Sequence, residues 1–373
     1  MGPSVKAASR GLLLIADITG YTVFLKESEL EHAQGTLTAL LEILVGGTRP
    51  PLTISQLEGD AVFSYGLEDF GLGGQTFVEM IESLYIAFRR AVDSMVLNTL
   101  CTCSACSNIE NLDLKFFVHH GEFVTQEVGQ YRELVGSDVN LIHRLTKNTV
   151  TQMTGIVAYV LYTEAAVEAA ELTPLADTWR THTETYEDVG TVECRVQDLH
   201  PVWVAAADRE AVVFASDEIL LDVSIDVAAP REVVWDRLAN PAYRATLFRS
   251  DRQEIEGSVD GRTDTSSAFV CYHGDKVARH VIVEWRPFQR VVIRERAPLP
   301  GPPAYDLQAF ELEEVENGTR LRRVVGRPTG PGVYRLIARM FFRAYRAEAI
   351  RGVERFRDLV EASLPEGGHG SNP

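Results

Sequence analysis

No stretch of the chain approaches the roughly 18 consecutive apolar residues that a membrane-crossing helix needs, so no helical span is expected. The first residues, "MGPSVKAASRG", lack the apolar core of a secretory signal, which makes the cytoplasm the expected compartment. Cysteine is scarce, five in 373 residues, and without a secretion signal a disulfide framework is not expected. Cys194 and Cys271 stand alone and read as core, whereas Cys101, Cys103 and Cys106 crowd into "CTCSAC". Positive charge is scarce in one part: through Asp208 there are 12 Lys and Arg against 28 Asp and Glu, and from Arg209 onward 24 against 25. So acidic a first part does not suit a nucleic acid, whose binding rests on phosphate neutralisation. It leaves room for a nucleotide brought in with a divalent cation.

What is present is ordinary for a globular protein, with 45% hydrophobic and 24% charged residues in a chain long enough for two cores. "LLLIADITGYTVFL", residues 12–25, is an aliphatic run that ends in Asp17, with a glycine three positions on. It reads as a strand buried on both faces that delivers one carboxylate to its tip. "SELEHAQGTLTALLEILVGG" has apolar residues at 30, 33, 37, 40, 41 and 44, a helical spacing, with Ser28 and Glu31 as a capping box and Gly46-Gly47 as its stop. "LTISQLEGDAVFSYG" reads as two strands meeting at Glu58-Gly59-Asp60. A helix in "TFVEMIESLYIAFRRAVDSMV" and strands around "LDLKFFVHHGEFVTQEV" complete the split βαβ order of ferredoxin-like α+β folds. "SDVNLIHRLTKN" predicts a further helix, "GIVAYVL" a strand and "ETYEDVGTVECRVQDL" a closing hairpin.

Residues 204–217 are Ala-rich without strong alternation and read as a linker between a domain at 1–203 and another at 218–363. The second has an alternating strand, a Pro turn and a helix, then five or six strands from about Asp251 to Val325 and a long amphipathic helix from about Val333 to Ala362. That helix carries Leu336, Met340, Val353, Phe356 and Val360 on one stripe among seven arginines, and covering its own sheet is the better reading than a membrane surface. Residues 364–373 have the composition of a disordered tail.

A strand-end Asp17 and a hairpin Asp60 on neighbouring strands can face one small volume, which suits hard divalent cations that keep phosphate ligands. The turn in "DITGYT", with the amides of Ile18, Thr19, Gly20 and Tyr21, can hold phosphate oxygens. Together "ADITGYT", "EGDAVFSYG", "LKFFVHHGEF" and "LVGSDVNLIHRL" resemble, in order, the motifs of the class III nucleotidyl cyclase homology domain over residues 10–203. The resemblance implies conversion of a nucleoside triphosphate to a cyclic nucleotide and pyrophosphate. Two Mg2+ or Mn2+ ions would sit on Asp17 and Asp60, Asn140 would orient the ribose, and Arg144 would meet charge on phosphorus. It also implies a homodimer, because such sites form between two chains. Where the family reads the base, this chain has Gln56 and Glu133, neither the adenine-reading nor the guanine-reading set. The alternative is therefore a cyclase-like binding or dimerisation module without turnover.

"CTCSAC" with "LKFFVHHGEF" also resembles an uncharacterised bacterial branch of this superfamily, a domain of unknown function. Cys101, Cys103 and Cys106 could give three thiolates to Zn2+, with His119, His120 or His143 as a fourth ligand; chance clustering is the other reading. On a strand, His119 and His120 alternate, one in the core and one out, and read as structural. The second part resembles the SRPBCC or START-like superfamily through "VSIDVAAPREVVWDRLANPAYRATL" and the closing helix, which implies a helix-grip fold around a site for a hydrophobic small molecule. No acid-base pair stands out in it. Tyr272, His273 and His280 are candidate polar groups of that site, with strand surface the more probable assignment.

Overall fold

The computed structural model describes residues 7–26, 30–68, 71–98, 108–128, 131–207, 212–215, 218–258, 261–265, 267–296, 305–328 and 332–364. The chain divides into two compact units, Met1–Arg209 and Glu210–Pro373. Among the described residues no helix is long and apolar enough to cross a membrane.

In the first unit β1 (Ser9–Thr19) lies between β3 (Ala61–Leu67) and β4 (Asp113–Val128), antiparallel to both. β2 (Thr53–Glu58) pairs with β3 on the far side, so the order β2-β3-β1-β4 is the interleaved split βαβ arrangement. The sheet continues through β6 (Tyr159–Thr163), parallel to β4, then β8 (Gly190–Asp198) and β7 (Arg180–Tyr186); β5 (Tyr131–Val135) pairs with the distal end of β4. Leu12 to Ala16 are buried on alternating faces, as a central strand with both faces covered requires.

After β1 come α1 (Tyr21–Lys26) and α2 (Leu30–Thr48), and α3 (Gly74–Asn98) follows β3. α2 does not stop at Gly46-Gly47. It runs on to Thr48, because a Cβ at Gly47 would stand 2.6 Å from Leu84 Cδ1 of α3. That glycine marks a close helix approach. Ser28 of the expected capping box lies outside the described residues.

α4 (Ser137–Leu145) covers the other face of the sheet, where Val139, Leu141, Ile142 and Leu145 join Leu13, Ile15, Phe63, Phe117 and Leu161 in one core. α5 (Val150–Thr154), α6 (Glu164–Ala169), α7 (Thr173–Ala176) and α8 (His200–Ala207) complete the unit.

The division between the units, after Arg209, falls within the stretch 204–217. Residues up to Ala207 belong to α8, while Val212 and Phe214 pack on Val292, Ala309 and Val324 of the second unit. Two apolar side chains among alanines are enough to recruit that segment to a core.

The second unit is an antiparallel sheet in the order β10-β11-β12-β13-β14-β15-β9. Its strands are β9 (Ile219–Val227), β10 (Arg252–Glu256), β11 (Ala268–His273), β12 (Lys276–Arg286), β13 (Arg290–Arg296), β14 (Tyr305–Val315) and β15 (Gly318–Gly326). α9 (Arg231–Ala239) and α10 (Pro241–Phe248) connect β9 to β10, and α11 (Gly332–Ala362) closes the chain. Val353, Phe356 and Val360 of α11 are buried, as the helical stripe requires; the side chains of Leu336 and Met340 lie outside the described ones.

Candidate functional site

Strand alternation carries Asp17 to the same face as Leu13 and Ile15, the face that α4 covers further along. Across the sheet it stands opposite Ala61 on β3 and Lys115 on β4. Asp60 occupies the turn between β2 and β3, and its carbonyl accepts the Ile18 amide at 3.2 Å, which pins that turn to the tip of β1. Burial pushes the Asp17 carboxyl up to about 6; the negative charge of Asp60 adds to the rise and Lys115 opposes it. Burial raises Asp60 as well, and burial followed by the charge of Asp60 raises the Tyr21 phenol. These four side chains therefore share one electrostatic volume.

The turn after β1 needs its glycine: Gly20 has φ of 89°, and its carbonyl starts α1 by accepting the Phe24 amide at 3.0 Å. Thr19 carries a buried hydroxyl with no hydrogen-bond partner among the described residues. The Ile18 amide, expected to face phosphate, is instead committed to the Asp60 carbonyl.

The donor set fits a hard divalent cation. Burial raises both carboxyls, the charge of Asp60 adds to the rise of Asp17, and the orphan hydroxyl of Thr19 lies two residues on from Asp17, an oxygen donor set of the kind that hard cations take. Among the described residues no group of three or more His, Cys, Asp and Glu gathers as a metal cluster. Cys101, Cys103 and Cys106 lie outside the described residues.

Asn140 and Arg144 lie one turn apart on α4; Asn140 is exposed and Arg144 partly so. The Arg144 guanidinium donates to Asp188 Oδ2 at 2.7 Å, and its carbonyl accepts the Tyr186 hydroxyl at 3.2 Å, so the β7-β8 hairpin braces this helix. Among the described residues no hydrogen bond or ion pair joins Asn140 or Arg144 to Asp17 or Asp60.

Gln56 donates to Glu58, whose carboxylate also lies 3.3 Å from His143 Nδ1 of α4; that contact holds Glu58 below the usual carboxylate range. Glu133 is exposed on β5, a strand that approaches β2.

The glycine of "HHGEF" is explained by packing. A Cβ at Gly121 would stand 2.4 Å from Asp138 Oδ2, the atom that accepts the Glu122 amide at 2.6 Å. His119 is buried between Asp138, 3.4 Å away, and Thr163, 2.9 Å away, which is a structural role. His120, the other of the alternating pair, is less buried and lies 3.6 Å from Glu68. Cys194 and Cys271 are free and buried.

Lys115 is the residue that sequence reasoning missed. Burial lowers its ammonium, Asp17 and Asp113 oppose that, and it lies 5.3 Å over the Tyr159 ring. A lone lysine in a strand covered on both sides, "LKFFV", was the available signal. In the second unit His280 is a correction: it faces the interior at 1% exposure, 3.4 Å from Glu295, whereas Tyr272 and His273 are partly exposed. The alternation of Val291, Ile293 and Glu295 along β13 carried that signal.

A family described as "Protein of unknown function (DUF2652)" matches residues 37–154. Over 171 residues the chain is 31% identical to the uncharacterized protein Rv2561/Rv2562 of Mycobacterium tuberculosis (strain ATCC 25618 / H37Rv), covering 44% of this chain and 73% of that protein. Similar solved structures include the guanylyl cyclase Cya2, at 16% identity and a TM-score of 0.39, over 52% of this chain and 93% of that one. The adenylyl cyclase CyaB from P. aeruginosa matches at 14% identity and a TM-score of 0.38, over 52% of this chain and 95% of that one. By its identity to the mycobacterial relative across most of that protein's length, the chain belongs to the family of the uncharacterized protein Rv2561/Rv2562.

Proposed function

We propose that the first unit binds a nucleoside triphosphate with Mg2+ or Mn2+ and, as a homodimer, converts it to a cyclic nucleotide and pyrophosphate, while the second unit binds a small molecule within a START-like, helix-grip domain. The supporting observation is the pair Asp17 and Asp60, brought to one strand tip by the Ile18 amide on the Asp60 carbonyl, with burial raising both carboxyls and the charge of Asp60 adding to the rise of Asp17.

In this reaction the ribose 3′-oxygen bonds to the α-phosphorus, the bond from that phosphorus to the bridging oxygen breaks, pyrophosphate departs, and the hydroxyl proton passes to solvent. Bound cations supply a lowered hydroxyl pKa and neutralise charge on the leaving group. Asp17 and Asp60 would hold them, and the Thr19 hydroxyl and the turn at Gly20 would be available to phosphate oxygens. From the partner subunit, the residue equivalent to Asn140 would fix the ribose. The counterpart of Arg144 would leave its Asp188 partner and meet the charge that grows on phosphorus.

A second reading, nucleotide binding without turnover, is favoured by one feature: Gln56 and Arg144 are already engaged by Glu58 and Asp188. Incubation of the purified protein with Mn2+ and each of four nucleoside triphosphates, with cyclic product and bound nucleotide both quantified, tests the two. Cyclic product that disappears in Asp17→Asn supports the cyclase. Binding without product leaves the second reading, and neither result leaves the first unit without a nucleotide role.

A further inference from the structure

The inner face of the second unit's sheet holds an unusual excess of buried cationic donors. Arg244 on α10 and Arg323 on β15 are both 0% exposed. Arg323 is partly served: its Nη2 donates to Gln308 Oε1 at 2.8 Å and its Nη1 to the Ala349 carbonyl at 3.4 Å, leaving Nε without a partner among the described residues. Arg244 is served hardly at all. Nη1 reaches the Leu238 carbonyl at 3.5 Å, while Nε and Nη2 have no partner among the described residues.

The two empty donors are the pair that forms the side-on guanidinium fork. Elsewhere in this same unit Arg320 and Arg322 use Nε and Nη2 together to grip the carboxylates of Asp226 and Asp222, at 2.7–3.1 Å. Arg244 presents that fork fully buried, with no partner for it among the described residues.

The surroundings are apolar and aromatic. The Arg244 guanidinium carbon lies 4.3 Å from the Phe269 ring centroid, 5.0 Å from Phe310 and 5.2 Å from Phe248, and Arg323 flanks the last two rings as well. The acids nearby are occupied. Glu295 is contacted by His280 at 3.4 Å and accepts from Gln308 at 2.9 Å, and Gln308 also donates to Asp306 at 3.3 Å. Burial, then the charge of Glu295, pushes the Asp306 carboxyl well above the usual carboxylate range. Burial also pulls Arg244 down to about 9, which still leaves it charged at neutral pH. Among the described residues, Glu295 is the carboxylate whose charge reaches both guanidinium groups.

A buried, charged, unpaired donor pair is costly to the fold and calls for an acceptor. We infer that the interior of the second unit binds a monocarboxylate with an apolar body, its carboxylate seated in the Nε/Nη2 fork of Arg244 with Arg323 alongside and its body against Phe248, Phe269 and Phe310. This rests on the small-molecule reading of the second unit and narrows it from a hydrophobic compound to an amphipathic acid.

The test uses the full-length protein at pH 8 and four probes: 1-naphthoate and decanoate, with 1-naphthamide and decanamide as their uncharged counterparts. Calorimetric titration should show at least one acid binding tenfold or more tightly than its amide. Arg244→Met should abolish that preference while raising the melting temperature of the ligand-free protein, since it removes an unpaired buried charge. Equal binding of acid and amide would overturn the carboxylate assignment and keep the small-molecule reading; no binding of any probe overturns both. A fall in the melting temperature of Arg244→Met with no acid preference in the wild type would mean that water alone serves the guanidinium. Should Arg244→Met fail to fold, the acid-to-amide ratio of the wild type decides the matter alone.

Discussion

Lys115 stands directly opposite Asp17 on the adjoining strand β4, so the candidate cation site already contains a cation supplied by the chain. Its charge opposes the rise of Asp17, and Asp17 in turn counters the loss of the lysine's proton to burial. A divalent ion would have to displace or coexist with that ammonium. Lys115→Met should therefore tighten Mn2+ binding at pH 8, on the order of tenfold for removing one positive charge a few ångströms away in a partly screened site. Calorimetric titration of Mn2+ checks this, and weaker binding in the variant would place the metal elsewhere.

Asp17 also sets a pH dependence of stability. Its folded value is about 6 against an ordinary 3.8, so the folded state holds this proton more firmly than the unfolded one. The sign follows: this group favours folding below about 4, and that contribution is lost as pH rises through 6. The full difference amounts to about 3 kcal/mol at most. Asp17→Asn should accordingly stabilise the metal-free protein at pH 8 by about 1–3 kcal/mol, with the gain shrinking toward pH 4. Mn2+ should raise the melting temperature of the wild type and leave that of Asp17→Asn unchanged. Urea denaturation at several pH values reads the first effect and thermal scans the second.

Asp17 and Asp60 were legible because local signals suffice for them: an aliphatic run that ends in a carboxylate and a Glu-Gly-Asp hairpin. Lys115 was not, since its importance comes from register. Only the pairing of β1 with β4, about a hundred residues apart in the chain, sets it against Asp17. The second unit repeats the point, with His280, Glu295 and Asp306 as consecutive cross-strand neighbours on three strands. Alternation along each strand marks which residues point inward, but not that three inward polar groups share one rung. The extent of α2 was misjudged for a related reason, because a glycine that admits a neighbouring helix looks in sequence like one that ends a helix.

Gly121 offers a test of the packing that positions α4. Any side chain there collides with the Asp138 carboxylate, which both accepts the Glu122 amide and contacts His119. Gly121→Ala should cost about 1–3 kcal/mol, the usual range for an overpacked site, and should be partly rescued by Asp138→Gly, which removes the Cβ as well as the carboxylate that stand in the way. Chemical denaturation of the two single variants and the double variant measures the coupling. Simple additivity would mean that α4 shifts freely.

The proposed homodimer predicts that one site draws residues from both chains. Asp17 and Asp60 sit at the β1 tip, Asn140 and Arg144 on the outward side of α4, and no hydrogen bond or ion pair among the described residues links them. If the proposed cyclase works between two copies, Asp17→Asn and Arg144→Ala are each inactive alone, yet a mixed dimer retains one site built wholly from unaltered residues. Co-refolding equal amounts of the two variants should then restore about a quarter of wild-type activity, because half the random dimers are mixed and each has one intact site of two. Complementation must also depend on protein concentration, falling away on dilution below the dimer dissociation constant. A mixture as inactive as its components would assign all four residues to a single chain's site, or to no catalysis at all, and nucleotide binding by the separate variants would then decide between those two outcomes.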